Sequence, residues 1–249
     1  MSAALFSGAA GTATLAAVFQ PIFAIEEDEP RIHGVEALVR RKGASSAGLL
    51  FDSARRAGQE ARLDRACLAT VMDTLAAYPP EHPVSVNVHA STLGCDDGFP
   101  AYLLEATARR GVAHDRLTVD VVQHVLPGDA AAFARAADAL RSHGVQIAID
   151  DVGLDHPNFR MILHCDPDYL KVDRALVAGC HRDRRRLALL EALCGLASRL
   201  PCRVVAEGVE ERAELEALRL LGVELAQGFL LAPPAPATRL SVAPPKVNA

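Results

Sequence analysis

Residues 145–153, Val-Gln-Ile-Ala-Ile-Asp-Asp-Val-Gly, constrain the fold more than any other stretch of the chain. Val145, Ile147 and Ile149 are branched and apolar, and only Gln146 and Ala148 separate them. That is the composition of a strand covered on both faces, as in a parallel sheet. The run closes on two adjacent carboxylates, Asp150 and Asp151, and then on Gly153. Charges are costly in a core and natural where a strand meets water, so the pair marks a turn or the mouth of a site. Recurrence favours the site, because the same arrangement returns along the whole chain.

Taken in order, residues 19–25 and 32–40 read as strands joined by a polar turn at 26–31, close enough to pair as a hairpin. Helices follow over 49–60 and 63–77, the second with Leu63, Ala66, Cys67, Val71 and Leu75 spaced for one face. Pro79-Pro80 stops it. Residues 84–89, 117–122, 145–151, 169–173, 203–209 and 225–231 read as further strands. Helices are predicted over 102–111, 129–143, 156–164, 183–200 and 211–221. Eight strands, most followed by a helix, predict an α/β fold, a TIM-like (β/α)8 barrel. The short first connection predicts an antiparallel first strand pair. Residues 1–18 are expected to form a loose or helical leader, 19–234 one barrel domain, and 235–249 an irregular Pro-rich tail.

Half of the residues are apolar, Trp is absent and aromatics make up 4%, so the core must be aliphatic. A net charge of −5 offers no general attraction for DNA, RNA or an anionic membrane. Any phosphate ligand must be held locally by Arg, Lys or a metal. The six cysteines form no CxxC pair and no zinc spacing, which favours reduced thiols in a cytoplasmic protein. No charge precedes Glu26, yet the leader has no basic start and is neither long nor apolar enough for a spanning helix.

In a barrel of this kind the strand ends carry the chemistry. Polar residues in or just after the strands are Glu36, Asn87, Asp120, Asp150, Asp151, Lys171, Glu207 and Gln227. Carboxylates brought to one mouth would repel and raise one another's pKa unless cations neutralise them. Oxygen ligands from Asp, Glu and an Asn carbonyl suit Mg²⁺ or Mn²⁺ better than zinc. Two such ions could clamp a phosphodiester and activate water, with Lys171 steadying the attacking water or the developing charge. The residues alone therefore point to a metal-dependent phosphodiesterase barrel.

At these residues the chain resembles the EAL family, the bacterial phosphodiesterases of cyclic di-GMP. The signature stands as Glu36-Ala37-Leu38, followed by Val39-Arg40. Gln20-Pro21-Ile22, Val86-Asn87, Ile149-Asp-Asp-Val-Gly153, Leu170-Lys-Val-Asp173, Val205-Ala-Glu-Gly-Val-Glu210 and Gln227-Gly228-Phe229 match in order. The resemblance implies hydrolysis of cyclic di-GMP to linear pGpG with two Mg²⁺ or Mn²⁺ ions, and a homodimer with scope for a further protein partner. It implies Glu36, Asn87, Asp120, Asp150, Asp151 and Glu207 as metal ligands. Lys171, Glu207 and Asp151 would serve the reaction, and Gln20, Leu38, Arg40, Glu210 and Gln227 would serve the substrate.

Three departures stand out. The family's fourth strand usually reads Glu-Leu-Thr-Glu, where this chain has Asp120-Val-Val-Gln123. Asp120 keeps the charge but is shorter by one bond, roughly 1.5 Å, whereas metal–ligand distances hold to about 0.2 Å. Gln123 keeps hydrogen bonding without the charge that would strengthen it. The loop after the fifth strand reads Leu154-Asp155-His-Pro-Asn158 in place of a small-residue run. These changes bear on turnover more than on recognition, so a cyclic di-GMP receptor with weak or absent catalysis is the alternative to the enzyme. His89 and His124 lie near the motifs, but no spacing makes them zinc ligands. Residues 182–186, Arg-Asp-Arg-Arg-Arg, read as a solvated helix start.

Overall fold

The computed structural model describes residues 15–27, 29–41, 48–79, 81–122, 130–153 and 159–239. The strands are β1 (Leu15–Ala24), β2 (Arg31–Arg41), β3 (Val84–His89), β4 (Leu117–Val122), β5 (Gln146–Val152), β6 (Tyr169–Val172), β7 (Arg203–Ala206) and β8 (Leu225–Ala226). They close into a barrel in sequence order. Strands β2 to β8 run parallel to one another, and β1 is antiparallel to both β2 and β8. Closure leaves no unpaired sheet edge.

The helices are α1 (Gly48–Ala57), α2 (Glu60–Ala77), α3 (Ala90–Cys95), α4 (Phe99–Ala108), α5 (Ala130–Arg141), α6 (Phe159–Cys165), α7 (Arg174–Val177), α8 (Arg184–Ala197) and α9 (Arg212–Leu220). They pack an apolar face on the outside of the barrel. In α2 the buried face is Leu63, Cys67, Leu68, Val71, Met72 and Leu75, and in α5 it is Phe133, Ala136, Ala137 and Leu140. Both sets recur every three or four residues, the helical period.

The strands alternate with period two. Val84, Val86 and Val88 of β3, Leu117, Val119 and Val121 of β4, and Ile147 and Ile149 of β5 belong to the main core under the helices. The residues between them face the barrel interior.

Three boundaries differ from expectation. β1 begins at Leu15, inside the stretch read as a leader, because residues 15–18 pair with 38–41 of β2. Leu-Ala-Ala-Val shows no alternation, so only the partner strand reveals it. The segment read as a tail is tied in at its start, since Ala235 and Phe19 exchange two backbone hydrogen bonds of 2.8 Å. β8 has two residues rather than seven. The chain turns at Gly228, where a Cβ would lie 2.1 Å from the Val209 carbonyl oxygen, so only glycine allows this approach. Among the described residues no helix is long and apolar enough to cross a membrane.

Candidate active site

Each strand offers two successive inward positions, two residues apart. The deeper ones are Ile22, Gly34, Ser85, Thr118, Ala148, Tyr169, Val205 and Leu225, which together line a cavity of about 30 Å³ inside the barrel. The positions nearer the mouth are Gln20, Glu36, Asn87, Asp120, Asp150, Lys171, Glu207 and Gln227. Every one is polar.

Lys171 stands at the centre of this set and is 1% exposed. Its Nζ lies 2.8 Å from Glu207 Oε1, 2.9 Å from Asp120 Oδ2, and 3.4 Å from Glu36 Oε2 and from Asp150 Oδ1. Burial alone would pull the ammonium down, but Asp120, Asp150, Glu207 and Glu36 hold its pKa well above the usual value. Glu36 is held by Asn87 Nδ2 at 2.9 Å and by Gln227 Nε2 at 2.9 Å. Gln227 Nε2 also donates to Gln20 Oε1 at 3.0 Å, and Gln20 Nε2 donates to the Ala232 carbonyl at 3.0 Å. Burial pushes Glu36 up, yet Lys171 and these amide donors bring its pKa below the usual value.

Adjacent residues of a regular strand point to opposite faces, so Asp150 and Asp151 could not both serve one mouth. β5 departs from regularity at this place. Its register with β6 shifts between Ile149 and Val152, and Asp151 takes φ 53°, a left-handed conformation that Asp tolerates better than most residues. Asp150, Asp151 and Glu207 thereby bring carboxylate oxygens within 4.8 Å of one another. Gly208 follows Glu207 at φ 67° and turns the chain beside it.

Crowding is written into the carboxyl pKa values. Burial, with Asp150 and Asp173 next, raises Asp151 to about 6. Burial, only partly offset by Lys171, raises Asp120 to about 7. Burial also raises Asp150, and burial with Asp150 beside it raises Glu207 well above its ordinary value. Burial first, and then mutual repulsion, favours the protonated forms of these four groups, and the one ammonium offsets this only in part. An all-oxygen donor set of excess negative charge fits a hard divalent cation.

Two clefts meet at this cluster. One, of about 370 Å³, runs under α1 and α2 and is lined by Arg40, Phe51, Asp52, Arg55, Asn87 and His89. The other, of about 320 Å³, lies over β7 and β8 and is lined by Gln20, Asp173, Arg174, Glu210, Gln227 and Phe229. Glu36, Leu38, Asp150 and Asp151 line both.

Comparison with known proteins decides the family. The EAL domain model matches residues 6–234. The chain belongs to the EAL family. It is 30% identical over 231 residues to the cyclic di-GMP phosphodiesterase NbdA of Pseudomonas aeruginosa, covering 89% of this chain and 29% of that protein. The chain spans less than a third of the curated relatives it matches first. Among solved structures, the PaMucR phosphodiesterase in complex with c-di-GMP is similar at a TM-score of 0.81 and 28% identity, over 91% of this chain and 99% of that one. The calcium/cyclic di-GMP complex of BlrP1 from Klebsiella pneumoniae is similar at 0.80 and 26%, over 89% and 56% of the respective chains.

Within this EAL barrel the structure gathers Glu36, Asn87, Asp150, Asp151, Lys171, Glu207 and Gln227 as the sequence anticipates. Arg40 lines the first cleft, and its guanidinium donates to the Val39 carbonyl at 3.1 Å. Glu210 sits on the rim of the second, paired with Arg174 at 2.9 Å. Asp120 joins the same cluster through Lys171 at 2.9 Å and accepts from Ser85 at 3.0 Å, and like Lys171 it lines the cavity below and neither mouth cleft. Asp173 caps α7 through the Ala175 N–H while lining the second cleft. Gln123, His124, Leu154 and Asp155 lie outside the described residues. Asp183 caps α8, so the arginine run is a helix start as expected.

Sequence reasoning missed Asp64. This carboxylate, 2% exposed, accepts from His89 Nδ1 at 2.7 Å and from the His89 and Thr92 N–H and O–H groups. It anchors the end of β3 beside Asn87 and gives His89 its structural partner. The signal was present, since Asp64 falls on the same face of α2 as Cys67, Leu68 and Val71.

Proposed function

We propose that this EAL domain is a phosphodiesterase that hydrolyses cyclic di-GMP to linear pGpG. The observation that carries the reading is the carboxylate–lysine cluster set between two clefts of similar size. A cyclic dinucleotide has two bases flanking a phosphodiester ring, and that layout matches two clefts meeting at one reactive centre. The names of the similar proteins support the same ligand.

Glu36, Asn87, Asp150, Asp151 and Glu207 would hold the cations, Mg²⁺ or Mn²⁺, with Asp120 carried as a sixth ligand by the family pattern. When bound, such ions neutralise the cluster and supply Lewis acidity to a phosphate oxygen and to water. The chain's own residues do the rest. Arg40 clamps a phosphate from the first cleft, and Lys171 holds a donor toward the attacking water and the charge that grows on phosphorus. Glu207 takes a proton from that water. One water adds across one P–O3′ bond, leaving a 5′-phosphate and a 3′-hydroxyl. Leu38, between the clefts, packs against the ring, and Gln20, Glu210 and Gln227 brace the second cleft.

Phe159 and Leu163, one helical turn apart on α6, are 52% and 81% exposed and offer an apolar surface for the expected homodimer. The test is product formation by the purified chain with Mn²⁺ or Mg²⁺, beside binding with Ca²⁺. Linear product that vanishes in Glu36→Ala establishes the enzyme. Tight binding without product makes the domain a receptor. In the first case Gln123→Glu, which restores the family's carboxylate, is expected to raise the rate.

A further inference from the structure

We infer that Asp120 is a positioning residue for Lys171 and does not ligate a cation. The inference rests on the proposed phosphodiesterase and corrects one member of its expected ligand set. Its ground is the direction of the side chain. Asp120 is 1% exposed, and the cavity it lines is the one below the cluster, not either cleft at the mouth. Its Oδ2 accepts from Ser85 Oγ at 3.0 Å and from Lys171 Nζ at 2.9 Å. Ser85 is the inward residue one step deeper on the neighbouring strand, so its hydroxyl draws the carboxylate down and away from the mouth. The carboxylates that line the mouth clefts are Glu36, Asp150, Asp151 and Glu207, and Asp120 is the one of the five that lines neither.

The division of labour follows from length. A carboxylate on a two-carbon stem could rise from this position to the mouth. Asp120, one bond shorter, stops at the level of the ammonium and accepts its hydrogen bond there. Lys171 must be held there, because a lysine carries four rotatable bonds and its Nζ could otherwise settle on any of the surrounding carboxylates. The 30 Å³ cavity directly below has room for a single water. Asp120, Ser85, Thr118, Tyr169 and Lys171 all line it, which gives such a water polar partners. A bridging water would steady Asp120 without lifting it.

Calcium titration by calorimetry tests this on the whole chain, with kinetics in Mn²⁺ alongside. Asp120→Asn is expected to bind Ca²⁺ with the wild-type stoichiometry and within about fivefold of its affinity, while Asp150→Asn loses about tenfold or more. In turnover, Asp120→Asn should lower kcat by about 10- to 100-fold with KM unchanged. Adding Asp120→Asn to Lys171→Ala should cost nothing further, because the two residues act as one unit. Ser85→Ala should behave as a milder Asp120→Asn and serves in its place if that variant does not fold. A loss of Ca²⁺ affinity beyond fivefold, a lost equivalent of Ca²⁺, or additivity with Lys171→Ala would overturn the inference. Should the wild type turn nothing over, the proposed function fails while the calcium titration still decides where Asp120 belongs.

Discussion

The barrel has two interiors built by opposite rules. Between strands and helices the packing is mainly apolar, with Phe19, Phe99, Phe133, Leu103 and Ile147 fully buried. Inside the barrel the apolar cluster shrinks to Ile22, Val205 and Leu225. The next inward position of every strand above that cluster is polar. Burial of apolar surface is the main favourable contribution to folding, at roughly 25 cal/mol per Å², so the shell carries the stability. The inner set does the reverse, since carboxylates packed this closely repel and cost stability in return for a cation site. The two faces of each strand thus serve different ends, and period-two alternation keeps them apart.

Substitutions on the two sides should therefore separate stability from turnover. The largest effect is expected for Phe133→Ala in α5, fully buried in the shell. It should lower unfolding stability by about 3–5 kcal/mol in urea titration. At temperatures where the variant stays folded, its kcat should match wild type. An equal loss of rate would mean that the shell and the site are coupled.

Glu207→Gln probes the other side. It removes one of the crowded charges and a partner of Lys171 at 2.8 Å. Hydrolysis should fall by about 10²–10³-fold, the scale of losing one electrostatic group in a preorganised site. The metal-free melting temperature should not fall, because repulsion is relieved. A drop in melting temperature would show that the interior stabilises the fold after all.

The smallest effect concerns a carboxylate outside both interiors. Glu214 of α9 accepts from the N–H groups of Gly179 at 2.7 Å and of Glu210 and Glu211 at 2.9 Å. Burial would raise its pKa, but these donors outweigh burial and hold it below the usual 4.5. A depressed folded-state pKa stabilises above the unfolded value, and the contribution is lost as pH falls through the folded one. Glu214→Gln should cost about 2 kcal/mol at pH 7. The gap from wild type should close as the pH falls below the ordinary carboxylate range and through the depressed pKa in acid denaturation. A gap that persists there would mean the loss comes from packing rather than charge.

Most of the fold was legible because a (β/α)8 chain repeats its signal. All eight strands were found, and the short hairpin-like connection foretold the antiparallel β1. What stayed hidden depends on contacts distant in sequence. Leu15–Val18 become a strand only beside β2, and β8 is cut short only because Gly228 meets Val209. α3 and α7, of six and four residues, are too brief to show a period. The site was read by composition and by resemblance, and the strand ends bring most of those residues to one mouth. Composition does not carry direction, and so it could not see that β5 loses register at Asp150–Asp151 or that Ser85 donates to Asp120. Asp64 escaped because a lone acid on a helix is usually solvated, and here it is buried under three donors.

The most direct test of the account is turnover of cyclic di-GMP by the purified chain in Mn²⁺ or Mg²⁺, followed by chromatography of the nucleotide products. The expected result is linear pGpG, with no product when Ca²⁺ is the only cation. Cyclic di-GMP that binds tightly in Ca²⁺ and survives intact in Mn²⁺ and Mg²⁺ would contradict it, leaving a barrel whose inner polar set holds the ligand without cutting it.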